Sequence, residues 1–131
     1  MSIGLILDPS ALLLHLRLER VSIGELISEV IDADQLVGVP ALAVVVVWPD
    51  LDGDDLARVE RMLSWDDSGI VVLPLTGDAL LDLHRTMPLV KGGQGVAHAV
   101  VEARRYGCLL ATDRPGDFGD AVDPDDLVEL S

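Results

Sequence analysis

Aromatic side chains are scarce in this chain of 131 residues, at 3% of the total. Its core must therefore be built from Leu, Val, Ala and Ile, drawn from a composition that is 50% hydrophobic. Cysteine is almost absent. The single Cys108 stands in an apolar run and cannot form an internal disulfide, which fits a reducing cytoplasm. Basic residues are few as well, nine Lys and Arg against 23 Asp and Glu, for a net charge of −14. That balance excludes a general basic surface for nucleic acid, though not a local site, and it suits a basic partner or bound cations. The apolar run at 41–47 is far too short to span a bilayer, so no membrane segment is expected. No signal peptide is expected either, because the first residues lack a basic region and Asp8 interrupts the apolar stretch. His15, His84 and His98 have no zinc spacing, and there is no nucleophile elbow. The Gly92-Gly93-Gln94-Gly95 stretch lacks the lysine of a phosphate-binding loop. With no repeat and no low-complexity linker, residues 1–131 read as one domain long enough to bury a full core.

What is present is organised around the opening stretch. Residues 4–7 read as a short buried strand, with Asp8 at its C-terminal end and Pro9 at a natural first helical position. Asp8 or Ser10 can cap the helix expected over 11–18. Ser22 and Glu25 have the spacing of a capping box for a helix that turns Leu26, Ile27, Val30 and Ile31 inward. A second strand at 36–39 ends at Pro40. The 41–47 segment follows as a helix, with a strand as the alternative because of its β-branched run. An amphipathic helix with an acidic N-terminus is expected over 52–64, and a third strand at 70–73. Thr76 is expected to cap a helix with Leu80, Leu81 and Leu83 on one side. The helix over 96–106 should turn Ala and Val inward and Glu102, Arg104 and Arg105 outward, with Gly107 as its C-cap. Strands at 108–111 and 127–130 complete the pattern. Strands separated by helices predict an α/β fold with a central parallel sheet flanked by helices on both faces.

Asp8 and Asp113 each lie just past a short apolar strand, so a parallel sheet would project both at one edge. Two carboxylates held close repel each other and are stabilised most simply by a divalent cation. Such a pair holding Mg²⁺ or Mn²⁺ can activate water and neutralise a phosphodiester. The plain alternative is that both only cap turns.

The residues Ile3-Gly4-Leu5-Ile6-Leu7-Asp8-Pro9-Ser10-Ala11-Leu12 resemble the start of a PIN domain, in particular the small VapC-like toxin nucleases. Val39-Pro40-Ala41-Leu42-Ala43 resembles that family's second block. Val96-Ala97-His98-Ala99 and Leu109-Leu110-Ala111-Thr112-Asp113-Arg114 resemble its third and fourth. The four blocks occur in order and span nearly the whole chain. The resemblance implies a PIN-like three-layer fold, a homodimer, Mg²⁺- or Mn²⁺-dependent cleavage of RNA and an antitoxin-type protein partner.

The acidic site that the family implies is incomplete here. Asp8 and Asp113 match its first and fourth carboxylates, but the second position falls on Val46 and the third on Gly95. Mg²⁺ demands several oxygen ligands, so loss of two should leave only weak binding. Asp117 resembles the family's extra downstream carboxylate and is the best substitute ligand, while Ser10 matches a small hydroxyl that supports a ligand or an aspartate. Asp50 lies one turn beyond Val46, but Pro49 between them should break the geometry; Gln94 offers only a neutral oxygen. His98 is expected to be a hydrogen-bonded structural histidine, Arg104 and Arg105 a solvated pair, and Trp48 and Trp65 either packing or interface residues. Three functions fit these residues. The first is a PIN-like domain that has lost nuclease activity and acts as a binding or regulatory module. The second is an active ribonuclease using Asp8, Asp113 and Asp117. The third is a small-ligand or nucleotide-binding α/β domain.

Overall fold

The computed structural model describes residues 2–64 and 68–130, so the interface expectation for Trp65 lies outside the described residues. Five strands form one sheet: β1 (Ile3–Leu7), β2 (Leu36–Pro40), β3 (Ile70–Leu73), β4 (Leu109–Thr112) and β5 (Leu127–Glu129). All neighbours pair in parallel, in the order β3-β2-β1-β4-β5. The helices among the described residues are α1 (Pro9–Arg17), α2 (Val21–Asp32), α3 (Ala41–Val47), α4 (Gly53–Leu63), α5 (Leu80–Thr86) and α6 (Gln94–Tyr106). The parallel three-layer α/β fold read from the sequence is the one observed.

The layers follow from alternation along the strands. Leu5 and Leu7 of β1, with Val37 and Val39 of β2, turn to a face covered by Leu12 of α1, Ile23 and Ile27 of α2, Val47 of α3 and Val59 of α4. Ile6 and Leu110 turn to the opposite face, against Val96, Ala99 and Val100 of α6 and the fully buried Phe118. With so few aromatics, the stabilisation comes from many buried aliphatic side chains, each contributing about 1.5–3 kcal/mol. α5 and the 3-10 turn before it (Gly77–Ala79) lie outside α6, packing Leu83 and Ala79 against Ala97 and Val101.

The 41–47 segment is a helix, as expected despite its β-branched run, because Ala43, Val44 and Val47 gain a buried seam. Several other local expectations are corrected. Ser22 is not a cap: α2 begins at Val21 with Arg20 in the N-cap position. The capping box belongs to α4 instead, where Asp52 and Asp55 each accept from the other's backbone N–H. After Thr76 the chain makes a 3-10 turn before α5, so only Leu83 of the three leucines is buried. Glu102 is also buried, not outward; Arg104 and Arg105 are exposed as expected.

The strand order has a functional consequence. From β1 the chain moves to one side through β2 and β3, then crosses back to place β4 on the other side. The point between β1 and β4, at their C-terminal ends, is where such sheets open a crevice for ligands. Leu7 pairs with Ala111 there, and the Asp8 amide donates to the Ala111 carbonyl at 3.2 Å.

Candidate active-site crevice

The crevice has a volume of about 370 Å³, and its walls include Asp8, Ser10, Val46, Asp113 and Asp117. They come from three parts of the chain: the start of α1, α3, and the stretch after β4. Asp8 follows β1 as the N-cap of α1, and its Oδ1 accepts from the Ala11 amide at 2.8 Å. Ser10 donates to the same oxygen at 2.7 Å, and Thr112, at the end of β4, donates to Oδ2 at 2.6 Å. Asp8 is only 1% exposed, and this burial raises its pKa above the ordinary carboxylate value. The three hydrogen bonds pull in the opposite direction, while the charge of Asp117 adds to the rise.

Ser10 does not cap α1; Asp8 does. Ser10 Oγ instead accepts from the Asp113 amide at 2.9 Å while donating to Asp8, and so joins the two strand ends. The Asp113 side chain turns outward and meets Arg20, whose Nη1 lies 2.5 Å from Oδ1. Arg20 also donates to the Leu130 carbonyl at 3.4 Å. Asp117 sits in the 3-10 turn Pro115–Phe118, anchored by buried Phe118, with Arg114 Nε at 3.7 Å from its Oδ2.

Val46 and Gly95 lie beside this group. Val46 is on α3 and lines the crevice; Gly95 is buried in the first turn of α6. A Cβ on Gly95 would come within 2.8 Å of Pro9 Cγ and 2.9 Å of Val46 Cγ2, with the Leu42 carbonyl at 3.3 Å. Glycine is therefore what lets α6 close on α1 and α3. Asp50 requires a correction. Pro49 does not break the geometry but sits inside a 3-10 turn, Trp48–Asp50, which continues α3 and brings Asp50 into the crevice wall. Glu19 joins it there, while Gln94 is exposed and outside the lining.

His98 is fully buried away from the crevice lining, as a structural residue. Its Nδ1 accepts from the Leu42 amide at 3.3 Å, so its Nε2 carries the proton and donates to Glu102 Oε1 at 3.1 Å. Burial lowers the His98 pKa, partly opposed by the Glu102 charge. The pair gives α3 a cap that Pro40 cannot supply.

Sequence reasoning brought Asp8, Ser10, Val46, Gly95, Asp113 and Asp117 to one place, and the fold does the same. It missed Thr112, Glu19 and Arg20. The Thr112 hydroxyl was legible in principle, since it directly precedes Asp113 at a strand end. Arg20 had no local signal, being 93 residues from its partner.

Compared with models of known protein families and with curated proteins, the chain matches none. Function must therefore rest on the crevice itself. Among the described residues, no three His, Cys, Asp or Glu side chains gather so as to hold a metal ion. Asp8 has three neutral donors on its oxygens, and Asp113 and Asp117 each have a guanidinium. This donor set does not fit a Mg²⁺ or Mn²⁺ centre, which needs free carboxylate oxygens around one point.

Proposed function

We propose that this chain is a PIN-like domain whose metal centre is disabled and which acts as a binding or regulatory module. The observation that carries this reading is the crowding around Gly95. Pro9 and Val46 occupy the space that a carboxylate on α6 would need, and Val46 places methyl groups where the family has its second acid. The exposed apolar side chains of α3 and the turn after it, Val45, Val46 and Trp48, support a protein partner, either a second copy or an antitoxin-type protein. RNA would be a substrate only if cleavage survives.

The second reading is a Mg²⁺- or Mn²⁺-dependent endoribonuclease using Asp8, Asp113 and Asp117. It is favoured by Asp50, which adds a carboxylate to the crevice that spacing alone did not provide. One pair of measurements separates the two. Calorimetric titration of the wild type with Mn²⁺ should show millimolar or weaker binding, and incubation with RNA and Mn²⁺ should show no cleavage beyond that of Asp113→Asn. Micromolar binding, or cleavage lost in Asp113→Asn, establishes the nuclease instead.

A further inference from the structure

A second hollow, away from the crevice, has no part in the function proposed above. It lies between α1, α2, α4 and the edge strand β3, has a volume of about 490 Å³, and shares no lining residue with the crevice. That size suits a small molecule. Its walls are aliphatic, from Leu16, Leu18, Ile27, Met62 and Ile70, and the ionisable side chains in them are Arg58, Arg61 and His15. Among the described residues that line it there is no carboxylate, in a chain with 23 acids. Glu25 and Glu29 of α2 line a neighbouring hollow instead, together with Arg20.

The two arginines differ in their ties. Arg58 is fixed, because its Nη1 donates to the Leu16 carbonyl at 2.9 Å and lies 3.3 Å from Asp55 Oδ1. Arg61, further along α4, is exposed and has no ion-pair partner among the described residues. Burial, and then the charge of Arg58, hold the His15 pKa below its ordinary value, so the ring is neutral at pH 7 and adds a hydrogen-bonding group. The rim is unusual as well. Leu18 ends α1 at φ 56°, in the left-handed region where glycine is the common residue, and its side chain is 65% exposed. A leucine there costs backbone strain and exposed apolar surface, and what it provides is an aliphatic lip to this hollow.

We infer that the hollow binds an aliphatic carboxylate, its chain against Leu16, Leu18, Ile27 and Met62 and its headgroup on Arg61. A carboxylate supplies the partner that Arg61 lacks, and a guanidinium is a matched donor for it. The inference does not depend on how the crevice is read, and its failure leaves that reading in place.

Octanoate is the probe, titrated by calorimetry into the full chain, with thermal melting as the control for folding. It should saturate at one molecule per chain with a Kd of about 1 mM or tighter, and bind at least about threefold more tightly than 1-octanol. At Gly24, which lines the hollow, an added Cβ meets no atom within 4 Å. Gly24→Leu should therefore melt no lower than wild type yet bind octanoate at least about tenfold more weakly. Leu18→Gly relieves the left-handed turn and removes the lip, so it too should stay folded and bind more weakly. Arg61→Gln should weaken binding by about threefold or more. Arg85→Gln, which changes the net charge equally from an exposed position on α5, should bind as wild type does. Absence of saturable binding overturns the inference, as does equal affinity for octanoate and 1-octanol, or an affinity unchanged in Gly24→Leu. Should Gly24→Leu fail to fold, unchanged affinity in both Leu18→Gly and Arg61→Gln overturns it.

Discussion

The Asp8 carboxylate receives three hydrogen bonds, yet its burial holds its pKa above the ordinary carboxylate value. A raised folded-state value means that the folded chain binds the Asp8 proton more tightly than the unfolded chain does. Asp8 therefore costs no stability well below about pH 4, where both states are protonated, and its cost grows as pH rises from the unfolded value through the folded one. Asp8→Asn keeps an oxygen for the Ala11 amide and the Ser10 hydroxyl, and Thr112 can rotate to accept from the new amide. Melting of the two proteins should show the Asn variant more stable than wild type at pH 7, with the gap closing toward pH 4. A variant less stable at pH 7 than at pH 4, relative to wild type, refutes this account. The residue scale is also where sequence reading was strongest and weakest. Strand-terminal aspartates announce themselves by position, because an acid after an apolar run has only the sheet edge to occupy. Side chains that act on them from distant loops, as Arg20 does, leave no pattern in the local sequence.

Among the elements, α3 and α6 depend on each other most closely. Their contact is made by a glycine, Gly95, and by the His98 ring capping the first turn of α3. Gly95→Ala adds a methyl group within 3 Å of Pro9 and Val46, so it should destabilise the protein by about 1–3 kcal/mol in denaturant unfolding despite alanine's better helix propensity. Val46→Ala in the same chain removes one of the two clashing groups and should recover part of that loss. A neutral or stabilising Gly95→Ala would mean that the helices part easily. Elements with clear punctuation were legible: Pro9, Pro40 and Gly107 mark helix ends that the structure keeps. The Ser22 capping pattern misled because tertiary packing of Ile23 and Ile27 fixed the start of α2 two residues earlier than the local signal. Glu102 misled because its charge suggested an outward place, although the i,i+4 spacing sets it on the face of the buried His98.

For the molecule as a whole, the controlling quantity is a net charge of −14 spread over 131 residues. Ion pairs engage several of the nine basic side chains, but 23 acids leave a large excess of repulsion in the compact state. Raising NaCl from about 20 mM to about 200 mM shortens the Debye length to below about 10 Å and should raise the melting temperature. A melting temperature that falls with salt would show that the few ion pairs outweigh the excess.

The sheet order sets one more condition, in time. β1 is the central strand, yet its second neighbour is β4, and Leu5 meets Leu109 only across most of the polypeptide. During synthesis the ribosome must release the residues through Asp113 before Thr112 can reach Asp8 or Asp113 can reach Arg20. The acidic pocket therefore closes only once β4 has been made, and a nascent chain stalled before β4 carries Asp8 without the Thr112 hydroxyl on its Oδ2.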